Sequence, residues 1–333
     1  MTLSRRAGLG LAAMGLAAPF MAAPSMPARA AAPFRNQAAP AWYRFRIGEF
    51  EATVISDGAL PLGKPGDGFP GAPPAEMNRI LTDNFLPTDG VVLEQNILVL
   101  NTGRQLILFD TGMGESMGND SRMFGPTTGR MVQNLRAAGI EPAQIDIVAV
   151  THAHCDHCWG LVDASGARVF PNAQVAISEL DLRFWTDDAN KRGPAFMPIF
   201  IEGAKRNLNA YRDRIIPVRD EQPVVPGVTA LATPGHTIGH HVFAISSGGR
   251  TVINSGDLAH HHAIMLRRPA WEFAFDSDPA QSARSRARML DRVATDRHAL
   301  LSYHFPWPGL GHVARQGDGY AWVPAPMNVT GLG

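Results

Sequence analysis

From residue 43 the apolar positions recur with the period of strands. Tyr43, Phe45 and Ile47 alternate with Arg44 and Arg46, as in a strand with one buried face. Glu51–Ile55 is again strand-like, and Ser56-Asp57-Gly58 predicts a turn after it. The Gly- and Pro-rich stretch 62–75 predicts a loop. Leu93–Leu100 and Gln105–Phe109 flank Asn101-Thr102-Gly103 and predict a hairpin ending at Asp110-Thr111-Gly112. Residues 127–139 carry helical spacing through Met131, Leu135 and Ala138 and close on Gly139. Ile145–Val150, broken only by Asp146, predicts a buried strand that runs into Thr151-His152. Val169–Ser178 and Val228–Ala232 predict two more strands. His241–Ser246 and Arg250–Asn254 predict a hairpin around Ser247-Gly248-Gly249. Residues 179–215 mix helix-like and aromatic stretches, 279–294 predict an Ala/Arg-rich helix, and Leu300–Tyr303 a short strand before His304.

Five of these strands end in a polar residue or cluster: Asp110, His152, His236, Asp257 and His304. Strand ends on one side of a sheet converge in space, and sites are built there. No internal repeat or interdomain linker interrupts the pattern.

Composition narrows the classes. The 333 residues are 45% hydrophobic and 18% charged, which suits a chain with a sizeable core. Lys+Arg 30 against Asp+Glu 30 gives net charge zero and no basic block, against a nucleic-acid binder. No internal apolar run is long enough to span a bilayer. The N-terminus reads as an export signal over residues 1–30: Arg5-Arg6, a mildly apolar run from Ala7 to Ala23, then Ala28-Arg29-Ala30 as cleavage site. The Arg pair fits a twin-arginine signal, with an ordinary secretory signal as the other reading; either predicts a periplasmic or secreted product. Residues 31–42 read as a Pro/Ala-rich arm, and 31–333 as the functional domain.

All 12 histidines lie between His152 and His312. The densest segment is Thr151-His152-Ala153-His154-Cys155-Asp156-His157. In extended chain His152 and His154 point the same way, and Asp156 and His157 follow where the strand must yield to a turn or helix. Three imidazoles and a carboxylate in six residues are costly to bury unpaired. A metal resolves this: zinc suits the donors best, with iron or manganese as poorer candidates. Cys155 and Cys158 flank the cluster. As thiolates they could compete for metal, be oxidised or form one local bridge; otherwise they are small semi-buried thiols.

The ordered combination resembles the metallo-β-lactamase superfamily over about Glu51 to Val313. Its parts are Asp110-Thr111-Gly112, His-x-His-x-Asp-His at 152–157, His236, Gly256-Asp257 and His304. Phe124-Gly125-Pro126, Pro234-Gly235-His236-Thr237, Gly256-Asp257-Leu258 and the Phe305–His312 segment are similar to the branch of methyl parathion hydrolase and quorum-quenching lactonases. The resemblance implies an α+β fold, an αββα sandwich of four layers, around two Zn²⁺ ions. His152, His154 and His236 would hold the first ion, Asp156, His157 and His304 the second, and Asp257 would bridge them. A hydroxide between the ions would attack a lactone, ester or phosphotriester, with Asp156 able to pass a proton to the leaving group. A small-molecule substrate is implied, a homodimer is left open, and no nucleic acid or membrane partner is expected. An iron-dependent oxygenase or redox protein on the same fold, or a catalytically silent metal-binding module, are the other readings.

The chain departs from the family pattern in two places. His157-Cys158-Trp159-Gly160 stands where His-x-Gly-Gly is usual, so Trp159 is expected to crowd the second ion. His260 stands where many lactonases have Tyr; it would donate a hydrogen bond to a substrate oxygen or support the site from behind. His240, His241 and His312 read as supporting residues and His298 as solvated. Asp110 is expected to orient a ligand His. Phe124 and Trp185 best match the aromatic mouth of the resembled hydrolases, among an aromatic set that includes Phe184, Phe196, Phe200, Trp271 and Phe273. Arg284–Arg292 reads as a solvated helix face.

Overall fold

Alternation along the strands sorts their side chains onto two faces, and the computed structural model, which describes residues 41–328 other than 123, 124 and 126, shows what each face meets. The export signal at 1–30, the arm up to residue 40 and Phe124 lie outside the described residues. One sheet runs β1 (Trp42–Ile47), β2 (Phe50–Gly63), β3 (Val91–Asn101), β4 (Leu106–Phe109), β5 (Ile147–Ala149), β6 (Gln174–Ser178) and β7 (Ile215–Val218) in spatial order. It is antiparallel up to β4 and parallel from β4 to β7. The other holds β8 (Pro223–Val225), β9 (Val228–Ala232), β10 (His241–Ser247), β11 (Arg250–Asn254), β12 (Ala299–Leu301), β13 (Leu310–Gln316) and β14 (Gly319–Pro324), also in spatial order, with only β11 and β12 parallel.

Leu98, Leu100, Ile107, Phe109, Ile147 and Ala149 of the first sheet pack against Val228, Ala230, Phe243, Ile245, Val252 and Leu301 of the second. The Phe109 and Phe243 rings meet at 5.2 Å across this seam. The alternate residues face helices. Ile97, Val99, Leu108, Val148 and Val175 meet the helices Met131–Ala137 and Met197–Asn209. Leu231, Val242, Ile253 and Leu300 meet Met289, Leu290 and Val293 of helix Pro279–Asp296. That helix opens with Pro279 and with the Asp278 carboxylate accepting the Gln281 N–H. The result is four layers, helix–sheet–sheet–helix. No helix among the described residues is long and apolar enough to cross a membrane.

Several elements differ from expectation. Trp42 belongs to β1 and not to the arm. Ser56-Asp57-Gly58 does not turn: β2 runs on to Gly63 through a shift in register between Ser56 and Ala59. A bulge keeps the ladder while re-aiming a side chain. Here it turns Asp57 inward, where its carboxylate accepts N–H groups from Met113 (2.9 Å), Gly129 (3.0 Å) and Met131 (2.7 Å). Burial pushes Asp57 up to about 6 although these bonds oppose the shift. Gly112 has φ 70, and a Cβ there would stand 2.6 Å from the Asp57 Oδ2. Residues 62–75 are not one loop but hold the end of β2, a helical turn at Pro65–Gly68 and the start of helix Pro74–Asp83.

Candidate metal centre

The second ends of β4, β5, β9, β11 and β12 deliver Asp110, His152, His236, Asp257 and His304 to one place. His152 and His154 leave β5 in extended chain, and helix Cys155–Cys158 then turns Asp156 and His157 inward. His152, His154, His236 and Asp257 offer donor atoms all within 4.8 Å of one another, and so do Asp156, His157 and His304. Asp257 stands between the two groups. Its Oδ2 lies 3.2 Å from His236 Nε2 and 3.6 Å from His152 Nε2, and its Oδ1 lies 3.1 Å from His157 Nε2 and 3.3 Å from His304 Nε2. Asp156 Oδ2 is 3.5 Å from both His157 Nε2 and His304 Nε2. One carboxylate oxygen thus faces each trio of side chains.

Four of the five imidazoles have their outer ring nitrogen committed. His157 Nδ1 meets Asp110 Oδ2 at 2.9 Å, His236 Nδ1 meets Asp276 Oδ1 at 2.9 Å, and His304 Nδ1 meets the Glu94 carbonyl at 2.8 Å. These acceptors call for a proton on Nδ1 and leave the Nε2 lone pair pointing inward. The Thr151 hydroxyl donates to Asp110 Oδ2 at 2.8 Å and so accepts from His152 Nδ1 at 3.0 Å. On the inner side, the Nε2 atoms of His152, His154, His157 and His236 and the Oδ1 of Asp257 are buried without an aligned hydrogen bond, despite their closeness. Leaving such a group unsatisfied costs about 1–3 kcal/mol. Five of them converging on one spot fit a site built for divalent cations, and imidazole with carboxylate is a donor set that zinc accepts.

Burial and neighbouring charge set the protonation of the protein groups. Burial opposes a charge on Asp257, but the imidazoles of His157, His304, His260 and His152 hold its carboxyl well below the usual range. Burial also disfavours charge on His236; the neighbouring Asp257 and Asp276 carboxylates outweigh this and push it up to about 9, a proton that a bound cation would displace from Nε2. Burial pushes His260 down to about 3, so that ring is neutral.

His260 lines the cleft with its Nε2 3.0 Å from Asp257 Oδ2 and its ring flat on Phe273 at 3.5 Å. Its neighbour His261 turns away and accepts the Ala263 and Ile264 N–H groups. Neutral His240 accepts the Asp257 backbone N–H on Nε2 (3.1 Å) and donates from Nδ1 to Thr233 (2.8 Å). Trp159 does not crowd the donor cluster: it is buried against Phe200 and fills the space over Gly203. Trp185 sits edge-on to His154 at 4.9 Å, 1% exposed, and supports that ring without lining the cleft. His312 is exposed on β13, away from the cleft. Cys155 and Cys158 are free, buried thiols, and burial pushes both well up.

The cleft over the cluster is walled by Leu60, Leu62, Leu93, Phe200, Phe273 and Phe275. Its volume is about 40 Å³, roughly three waters' worth of room. Sequence reasoning missed Asp276, Phe275, Tyr303 and Arg286. The Tyr303 hydroxyl donates to the Asp156 carbonyl, and its ring lies 4.1 Å from that of His157. Arg286, read as part of a solvated face, is wholly buried.

Asp110 occupies a left-handed turn (φ 64) and accepts the Thr151 N–H at 2.7 Å besides holding His157. Asp110→Asn is expected to weaken metal binding by about 10–100-fold, measured by competition with a chelator. Unchanged affinity would show that His157 needs no such support.

This geometry agrees with comparison to known proteins. The chain belongs to the metallo-beta-lactamase superfamily, whose family model matches residues 90–304. By family and by site it is a metal-dependent hydrolase. It is similar to AidC, a dizinc quorum-quenching lactonase solved with a product, N-hexanoyl-L-homoserine: 30% identity and TM-score 0.80, covering 86% of this chain and 98% of that one. It is similar to the hydrolase AbOPH at 26% identity and TM-score 0.79, covering 88% and 100%. An N-acyl homoserine lactonase of a Bacillus species is 27% identical over 49% of this chain; the match spans 64% of that relative's length.

Proposed function

We propose that the protein is a two-zinc hydrolase that opens neutral lactones and cleaves neutral esters, with phosphotriesters as a second substrate class. The observation that carries this reading is the cleft. Above the His and Asp cluster its walls are Leu and Phe, and among the described residues no Lys or Arg lines it. A substrate with its own carboxylate, such as a penicillin, would have to bury that charge against hydrocarbon, which is costly. A lactone with an uncharged acyl chain would bury only apolar surface. N-hexanoyl-L-homoserine, the product bound in AidC, carries such an uncharged acyl chain beside the carboxylate that ring opening leaves.

Bound Zn²⁺ ions would lower the pKa of a coordinated water toward ~7 and polarise the oxygen of the scissile group. The chain supplies the rest. Asp257 offers one oxygen to each trio, and neutral His260 holds its Oδ2 in place. The apolar walls exclude bulk water, which strengthens every charge interaction inside. Asp156 reaches the cleft and is placed to take the proton of the attacking water and pass it to the leaving oxygen. The export signal read at residues 1–30 adds a periplasmic or secreted location.

The test is a panel of an N-acyl homoserine lactone, a p-nitrophenyl ester, a dialkyl p-nitrophenyl phosphotriester and a penicillin, each given to the zinc-loaded protein. The lactone or ester is expected to show a kcat/KM at least ~100-fold above the penicillin, the equivalent of nearly 3 kcal/mol of misplaced charge. Penicillin turnover equal to that of the neutral substrates would overturn the reading.

A further inference from the structure

Asp181 lies in helix Glu179–Trp185, just after β6, and is 0% exposed. It lines no part of the cleft and belongs to none of the groups of candidate metal donors. Its Oδ2 accepts the Ala153 N–H at 3.1 Å and the Thr237 hydroxyl at 2.8 Å, and its Oδ1 accepts the Gly239 N–H at 2.6 Å. Ala153 is the residue between His152 and His154. Thr237 directly follows His236, and Gly239 lies three positions after it. One buried carboxylate therefore ties together the two chain segments that carry all three imidazoles of the first trio. The approach is close: a Cβ at Gly239 would stand 2.5 Å from Ser178 Oγ and 2.9 Å from Asp181 Oδ1, so only glycine admits it. A buried carboxylate held by donors from two separate loops costs desolvation, and nothing in the packing of a seven-residue helix requires it there.

We propose that Asp181 is a positioning residue of the metal centre, which locks the His152–His154 segment to the His236–Gly239 turn and so sets how tightly that trio takes a divalent cation. The proposal rests on the two-zinc reading above. It acts through geometry. Imidazoles on two untied loops must be brought together on binding, and the entropy of ordering them is subtracted from the affinity. Asparagine cannot substitute. Its amide NH₂ would face either the Gly239 N–H or the Ala153 N–H, so one backbone donor loses its acceptor and meets another donor.

The experiment titrates Zn²⁺ into the metal-free full chain against a chromophoric chelator, for the wild type, Asp181→Asn, Thr237→Val and His154→Ala. The wild type is expected to take two equivalents. Asp181→Asn is expected to weaken one equivalent by about 10–100-fold and leave the other unchanged. That equivalent should be the one His154→Ala removes. Thr237→Val keeps shape and charge while deleting one of the three donors, so it should weaken the same equivalent by less; it carries the test if Asp181→Asn fails to fold. Two equivalents of wild-type affinity in both variants would overturn the proposal and leave the two-zinc reading intact. So would an equal weakening of both equivalents. Fewer than two equivalents in the wild type would overturn the two-zinc reading and this proposal together.

Discussion

Asp257→Asn is expected to lower kcat/KM by at least roughly a thousandfold and to cut the bound metal, while the fold survives. The side chain keeps its size, so the packing of a residue 3% exposed is preserved. What changes is the charge between four imidazoles whose Nε2 atoms lie 3.1–3.6 Å from its two oxygens. The amide replaces one acceptor by an NH₂ group, which faces either the first trio or the second and cannot serve a cation there. It also removes the negative charge that would offset the two ions. His152→Ala should give the same loss by deleting a donor from the first trio alone. Metal content per chain, kcat/KM and thermal unfolding, measured together, separate a lost site from a lost fold. Wild-type turnover in either variant would mean that the reaction does not run at this centre.

Arg286→Met is expected to destabilise the protein by roughly 3–5 kcal/mol, the range for removing one partner of a buried ion pair. The guanidinium is buried with Asp276 and donates to three carbonyls: Leu258 at 2.8 Å, Pro269 at 2.7 Å and Trp271 at 3.0 Å. Methionine fills much of the volume but leaves those oxygens and Asp276 without their donor. The segment it pins begins beside Asp257 and ends at Phe273 and Phe275, the aromatic wall of the cleft. Asp276 also holds His236 Nδ1. Weaker metal binding should therefore accompany the loss of stability. Urea denaturation of the metal-free protein gives the stability term directly, and a change below about 1 kcal/mol, the scale of an ordinary surface substitution, would contradict the role assigned to Arg286.

The strands and the polar clusters at their ends were legible because both are written locally, while the grouping of His236, Asp257 and His304 with His152–His157 came from the family resemblance. Period-two alternation marked β1, a continuous apolar run marked β5, and apolar stretches bounded by turn residues marked β3, β4 and β9 to β11; each chemical cluster followed a strand directly, as at Thr151-His152 and Gly256-Asp257. Spacing within His152–His157 fixed which side chains share a direction. The supporting shell was not legible, because its meaning depends on pairing across the chain. Asp181 reaches residues 28 to 58 positions away, and Asp276 meets a histidine 40 positions earlier. Nothing near either residue announces this. Arg286 sits among exposed arginines on a helix whose period was clear. Its burial depends on where the 258–276 segment crosses that helix, which the periodicity does not carry. The turn expected at Ser56-Asp57-Gly58 failed for a related reason. A turn-forming triplet was recruited as a bulge, because Asp57 gains three buried N–H donors from distant residues.

The most direct test of the account is to strip the protein with a chelator and return Zn²⁺ stepwise while following the opening of a neutral N-acyl lactone. The account predicts no turnover without metal and a rate that climbs to a sharp break at two equivalents per chain. Activity that persists in the stripped protein, or a break at a single equivalent, would contradict it.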